Sequence, residues 1–186
     1  DQRQHIELMR DIAERFNARF GEVLVVPEGT YPPVGARIMD LQEPTRKMST
    51  TGGTAEGTVY VLDPPKTIEK KIKRAVTDSD DPPVIRAGAD KPGVTNLLEI
   101  LAAARGITLA EAEASMADAR GYGDLKAATA EAVIELLTPV RERYEELRPD
   151  ERRLEEILAV GAEKAAASAA PVIADVREAM GVGRPR

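Results

Sequence analysis

Apolar positions along the first twenty residues recur with the period of a helix. Ile6, Met9, Ala13, Phe16 and Phe20 follow one another at three- and four-residue steps, which places them on one stripe, and Gly21 supplies a stop. The pattern then changes. Residues 23–26 form a short β-branched run closed by Pro27, and residues 36–41 form a second short apolar run. Both predict strands of an α/β layer, joined by the proline- and glycine-containing residues 27–35. After Pro44 the polar, glycine-bearing residues 47–58 predict a mobile loop without regular structure.

Beyond that loop only helical patterns remain. Asp63 followed by Pro64 predicts an N-cap with proline at the first helical position, opening a basic helix that runs to residue 75. Residues 78–90, with adjacent Pro82 and Pro83, predict an exposed connection. Residues 95–105 place Leu97, Leu98 and Leu101 on one helical face and end at Gly106, and Thr108 with Glu111 predicts a capping box for the next helix. Leu125, Val133, Leu136, Leu137, Val140, Tyr144 and Leu147 mark a long helix, kinked or broken at Pro139. Asp150 predicts the cap of a last helix that carries Leu154, Ile157, Leu158 and then alanines, with Pro171 as a second kink or break. The expected organisation is therefore an α/β portion over residues 1–65 and an antiparallel helical array over residues 66–186, with no internal repeat.

Composition narrows the chemistry. The chain has 186 residues, 42% apolar but only 3% aromatic, so its core is expected to be built from Ala, Leu, Val and Ile. With no cysteine it has no disulfide scaffold, thiol nucleophile or thiolate-ligated metal, and a single histidine, His5, excludes a multi-histidine site within the chain. A net charge of −6 fits neither a basic nucleic-acid tail nor a disordered polyanion, so any polyanion site must be a local patch. No apolar run approaches the ~18 residues of a membrane span, so none is expected. The first residue is Asp1 rather than Met, and no leader pattern precedes the first helix, which leads to the expectation that residue 1 is not a natural translation start.

The common phosphate-binding and hydrolase templates do not occur. The sequence has no G-x-x-x-x-G-K-[ST] loop, no G-x-G-x-x-G turn, no H-E-x-x-H and no G-x-S-x-G. What stands out is KMSTT, formed by Lys47, Met48, Ser49, Thr50 and Thr51, between GARIMDLQEPTR and TGGTAEGT. One cation and several hydroxyls on a glycine-flanked loop suit the charge of a polyphosphate, and a solvated surface linker is the alternative. Two basic clusters follow. Lys66, Lys70, Lys71, Lys73 and Arg74 are diluted only by Glu69 and can contact phosphates. Arg141, Arg143, Arg148, Arg152 and Arg153 alternate with glutamates and read rather as a solvated, salt-bridged helix surface.

DQRQHIELMRDIAERFN, GARIMDLQEPTRKMS and KTIEKKIKRAVTDS together resemble the tryptophanyl-tRNA synthetase family, which are class I aminoacyl-tRNA synthetases. The similarity continues through KPGVTNLLEIL, GYGDLKAA and LTPVRERYEELR to GAEKA and so covers essentially the whole chain. The resemblance implies the second half of a Rossmann-like nucleotide-binding domain over residues 1–65, followed by a helical anticodon-binding domain over residues 66–186. It also implies activation of L-tryptophan with ATP to the adenylate, transfer to tRNA(Trp), Mg²⁺ held through the ATP phosphates rather than by the protein, a homodimer and a cytoplasmic location.

Carried over residue by residue, the resemblance puts Asp1 and Gln2 beside the ATP ribose and Ile38 at the adenine ring. Lys47, Met48, Ser49, Thr50 and Thr51 then close over the phosphates, with Lys47, Ser49 and Thr50 nearest the chemistry. On the residues alone, Asp1 also reads as a helix N-cap, Gln2 as a solvated first-turn residue, Ile38 as a strand core residue and His5 as a local packing or capping group. Two departures from the family pattern are plain. Thr50 stands where the family loop has its second lysine, and the His-x-Gly-His-like signature of the first strand-to-helix turn is missing. The resulting expectation is a C-terminal portion of a longer synthetase that forms no adenylate by itself. The alternative is a non-catalytic tRNA-binding module or a synthetase-like paralogue.

Overall fold

The computed structural model describes residues 2–183, and Asp1, one of the expected ATP-binding residues, lies outside them. Six helices carry the chain: α1 (Arg3–Phe20), α2 (Pro65–Lys73), α3 (Pro92–Arg105), α4 (Leu109–Ala114), α5 (Tyr122–Leu147) and α6 (Glu151–Met180). Two compact units divide it, one of Asp1–Tyr31 and Glu146–Arg186, the other of Pro32–Glu145.

In the first unit α1 ends where its sequence directs, at Gly21 with φ 97°. The following segment doubles back along the helix. Asn17 accepts from the amides of Val23 and Leu24 at 3.1 and 2.9 Å and donates to the Leu24 carbonyl at 2.7 Å. Further back, Arg10 donates to the Pro27 carbonyl at 2.6 Å and the Arg3 guanidinium lies 4.6 Å from the centre of the Tyr31 ring. Residues 23–26, expected as a strand, form none: Asn17 of α1 takes up the backbone groups of Val23 and Leu24 in place of a neighbouring strand, and Val25 is 91% exposed. Of the predicted stripe on α1 only Ala13 is fully buried, and Met9 stands exposed with Leu8 and Ile12.

Asp150 caps α6 as expected, its carboxylate accepting from the Arg153 amide at 2.9 Å. Pro171 lies inside a continuous helix and does not break it, since every residue up to Met180 keeps helical backbone. Contrary to the expectation of no candidate span, α6 is long and apolar enough, by length and composition, to cross a membrane. A count of uninterrupted apolar residues stops at Glu163, Lys164 and Asp175, whereas a helix averages over them. Most of its apolar positions are alanines, and α6 buries no residue.

The second unit holds the core. Leu41, Ile68, Ile72, Val94, Leu97, Leu98, Leu101 and Leu125 are all at most 1% exposed and pack with Ala102, Ala112, Ala130 and Val133. This cluster is aliphatic throughout, as the composition required, and it runs across residue 65. Residues 36–41, the second expected strand, provide only an isolated antiparallel bridge between Met39 and Lys47, and no strand forms among the described residues.

Helix starts deviate where charged groups found better partners. α2 begins at Pro65 with Pro64 as its N-cap residue, not at Pro64 with an Asp63 cap. The Asp63 carboxylate instead accepts from Lys71 Nζ at 2.6 Å and from the Tyr60 amide at 3.0 Å. α3 starts three residues early, because Pro92 suits a first helical turn and Lys91 is held in place by Asp78 and Asp80. Lys91 is 4% exposed, and these two carboxylates, Asp78 first, push its ammonium above its usual range. Gly106 closes α3 in the left-handed region at φ 66°, and the Thr108–Glu111 capping box forms at both of its hydrogen bonds. Pro139 sits within the continuous α5.

Candidate active-site loop

The loop leaves from the Met39–Lys47 bridge. The Asp40 amide donates to the Arg46 carbonyl at 2.8 Å and the Met48 amide to the Ile38 carbonyl at 3.0 Å, so Ile38, expected at an adenine ring, and Met48 of the expected phosphate loop are neighbours across one narrow ladder. The turn between them is shaped by Asp40, whose carboxylate accepts from the amides of Gln42 and Glu43 at 2.8 and 3.1 Å. On the other side of the segment Asn96 of α3 both donates to and accepts from the backbone of Met39, each at 2.9 Å. Ile38 and Met48 are half-buried and line one apolar cavity of about 190 Å³ with Leu41, Ile72 and Ala103.

From Met48 onward the chain forms consecutive turns with defined bonds. The Ser49 hydroxyl accepts from the amides of Thr51 and Gly52 at 3.3 and 3.1 Å. Its carbonyl accepts from the Gly53 amide at 3.1 Å and from the Thr58 hydroxyl at 3.2 Å. The Gly57 carbonyl then accepts from the Leu41 amide at 2.9 Å, bringing the far end of the loop back to the start. Two glycines make this closure possible. A Cβ on Gly57 would stand 2.1 Å from Asp40 Oδ1, and one on Gly53 would stand 2.5 Å from the Ser49 carbonyl oxygen. Lys47, Thr50 and Thr51 are exposed, whereas Gly57, Thr58 and Asp40 are buried. The expectation of no regular structure is met, but the loop is a hydrogen-bonded object.

The structure therefore groups Ile38, Lys47, Met48, Ser49, Thr50 and Thr51 in one short stretch of space. Gln2 belongs to the first unit, where it is exposed, its side-chain oxygen 2.5 Å from His5 Nδ1 and its carbonyl accepting from the His5 and Ile6 amides. His5 is thus engaged locally by the Gln2 side chain, and α1 begins without a side-chain cap. A cation and hydroxyls form a donor set for an anionic ligand and not for a bare metal ion. Among the described residues no three His, Asp or Glu side chains gather to hold one.

The basic residues of α2 separate into two groups. Lys66, Lys70, Lys73 and Arg74 are exposed, whereas Lys71 turns inward with its side chain 12% exposed. Lys70 and Arg74 line a cavity of about 200 Å³ with Glu56 and Thr67, and Lys73 and Lys126 line another of about 390 Å³ with Glu69, Gly123 and Ala127. Burial pulls the Lys126 ammonium below its usual range. In the arginine cluster, Arg148 reaches Glu151 at 3.7 Å and Arg152 and Arg153 reach Glu156 at 3.6 and 3.9 Å, the salt-bridged surface its pattern predicted. Arg141 donates to the Asp63 carbonyl at 3.3 Å.

Sequence reasoning passed over Asp40, Thr58 and Asn96, which shape the loop and its stem. Only Asn96 carried a visible signal, a lone amide inside the apolar face of VTNLLEIL.

The class I (W and Y) tRNA synthetase family model matches residues 1–138. The chain is 48% identical to the tryptophan–tRNA ligase of Oceanobacillus iheyensis over 185 residues, covering 99% of this chain and 55% of that protein. It is 48% identical to the Bacillus anthracis ligase over 187 residues, covering 100% and 56%. The crystal structure of tryptophanyl-tRNA synthetase from Mycoplasma pneumoniae superposes with a TM-score of 0.87 at 33% identity, covering 98% of this chain and 54% of that one. The Campylobacter jejuni enzyme complexed with ADP and tryptophan superposes with a TM-score of 0.63 at 28% identity, covering 97% and 54%. The chain spans about half the length of the curated relatives it matches. With the family pattern matched over residues 1–138 and the signature loop built as a closed turn, the chain belongs to the class I tRNA synthetases of the tryptophan and tyrosine type.

Proposed function

We propose that this chain supplies the signature-loop side of a tryptophan–tRNA ligase, whose activity resides in a protein of the relatives' full length. The observation that carries the reading is the loop from Lys47 to Thr58, which presents a cation and hydroxyls from a stem pinned by Asn96 and Asp40. In this reading the tryptophan carboxylate attacks the α-phosphorus of ATP, the bond to the bridging oxygen breaks, and pyrophosphate leaves. Mg²⁺ bound to the nucleotide, and to no protein side chain, would screen its phosphates. Lys47 and the hydroxyls of Ser49, Thr50 and Thr51 hold the phosphates in line, and positioning with charge stabilisation is most of what such a displacement requires. The backbone at Ile38 meets adenine, Met48 lies in the loop over the phosphates, and Asp1 and Gln2 take the ribose.

The remaining assignments extend the family resemblance. Residues 1–65 complete a Rossmann-like catalytic domain and residues 66–186 form the helical domain that takes the anticodon arm of tRNA(Trp). Lys66, Lys70, Lys73 and Arg74 offer the phosphate contacts, and Lys71 does not, because its ammonium is spent inside the protein. A cytoplasmic homodimer completes the reading. Thr50 favours a second one, a paralogue that kept the fold and lost the chemistry.

Tryptophan-dependent ATP–pyrophosphate exchange by the full-length protein separates the two. Exchange with tryptophan and not tyrosine supports the ligase; its absence with both, alongside retained tRNA binding, supports the paralogue.

A further inference from the structure

Four observations converge on one side chain. Lys71 is the single lysine of α2 turned inward: its ammonium donates to the Thr58 carbonyl at 2.8 Å and to Asp63 Oδ2 at 2.6 Å. It also lies 4.7 Å from the centre of the Tyr60 ring. Thr58 is 1% exposed and its hydroxyl donates to the carbonyl of Ser49, within the signature loop. The adjacent Ile72 and nearby Ile68 are both 0% exposed, so the helix from which Lys71 projects is fixed in the core. A continuous line of contacts thus runs from the packed helix through Lys71 and Thr58 to Ser49. Residues 50–56 between the two loop ends are all exposed and depend on those ends for their shape.

We propose that Lys71 is a positioning residue for the signature loop, tying its C-terminal end to α2 so that Lys47 and Ser49 are held where phosphates arrive. This rests on the ligase reading for its catalytic consequence, but the tether is a property of the fold. Without the ammonium, the Thr58 carbonyl and the Asp63 carboxylate lose a shared partner in a nearly closed environment, and the loop samples more arrangements. A loop in the competent arrangement for a smaller fraction of the time lowers the rate of adenylate formation in proportion. It leaves the amino-acid site untouched.

The test uses the full-length protein with Lys71→Met, Lys71→Arg and Thr58→Val. Thr58→Val removes the hydroxyl link while keeping Lys71, and so stands in if Lys71→Met does not fold. Hydrogen exchange at the amides of Gly52 and Gly53 is expected to accelerate about tenfold in Lys71→Met and Thr58→Val, with α3 amides unchanged. The kcat of tryptophan-dependent pyrophosphate exchange is expected to fall about tenfold at constant KM for tryptophan, and Lys71→Arg to recover most of it. Loop amides that exchange as in the parent, or loop and α3 amides that accelerate together, overturn the proposal. A parent protein without pyrophosphate exchange defeats the ligase reading alone, and the amide rates still decide the tether.

Discussion

Asn96 holds Met39 by both of its backbone groups, donating to the carbonyl and accepting from the amide at 2.9 Å each, from a side chain in a residue only 3% exposed. One side-chain amide thereby does what a neighbouring strand would do, and it fixes the segment from which the loop departs. Asn96→Leu keeps the branched shape of the side chain, though not its volume, and strands two backbone groups. At about 1–3 kcal/mol for each buried group left unpaired, and with Met39 half-buried, a loss of about 2–4 kcal/mol is expected. Urea denaturation measures it, and an unchanged midpoint would show that the two bonds add nothing to stability.

The close approach of Gly57 to Asp40 gives a second expectation. A methyl group there would sit 2.1 Å from a carboxylate oxygen that already accepts from two amides, so neither side can yield without loss. Gly57→Ala should cost about 1–3 kcal/mol, in the range of overpacked interiors. Combining it with Asp40→Ser frees the space, so the two changes should couple: the double variant is less destabilised than the sum of the singles. Strict additivity in thermal denaturation would rule out the clash.

Much of this was legible in the sequence. Local signals that depend on near neighbours held: Gly21 and Gly106 as stops, Thr108 with Glu111 as a box, Asp150 as a cap. Expectations that depend on distant partners failed for that reason. Residues 23–26 have strand composition, but a strand exists only beside another, and Asn17 takes up the backbone groups of Val23 and Leu24 instead. Asp63 reads as a cap until Lys71, eight residues on, claims its carboxylate. The loop residues themselves were visible as KMSTT, but the groups that shape them, Asp40, Thr58 and Asn96, are spread over 57 residues of chain and carry no spacing rule.

Glu99 provides a pH signature. It lines a cleft with Arg37, Thr95 and Asn96, and burial raises its carboxyl above the ordinary glutamate value. The folded state therefore binds a proton that the unfolded state has released. Stability contributed by this group is greatest at pH values below the unfolded carboxyl value and falls as pH rises through the raised folded one. Glu99→Gln removes that dependence. It should raise the melting temperature at pH 7 relative to the parent and leave it unchanged near pH 3.5; an equal shift at both pH values would assign the effect to packing instead of charge.

Thr50 bears on the chemistry itself. It is exposed in the turn where the Ser49 hydroxyl binds the amides of Thr51 and Gly52, so its side chain can be exchanged without disturbing the bonds that shape the loop. A threonine donates one hydrogen bond to a phosphate oxygen but cannot offset the charge that develops on departing pyrophosphate. A lysine at this position adds a second cation to that of Lys47, and removing one preorganised hydrogen-bond donor from the site of developing negative charge costs about 2.7–4 kcal/mol in other active sites. Exposure of the loop reduces this, so Thr50→Lys in the full-length protein should raise the single-turnover rate of adenylate formation by about one order of magnitude, with little change in the KM for tryptophan. The isolated 186-residue chain should form no adenylate with either residue at position 50. Rapid-quench assays read both outcomes. A rate in Thr50→Lys equal to or below that of the parent would mean that Lys47, the loop hydroxyls and phosphate-bound Mg²⁺ already supply all the charge the displacement uses.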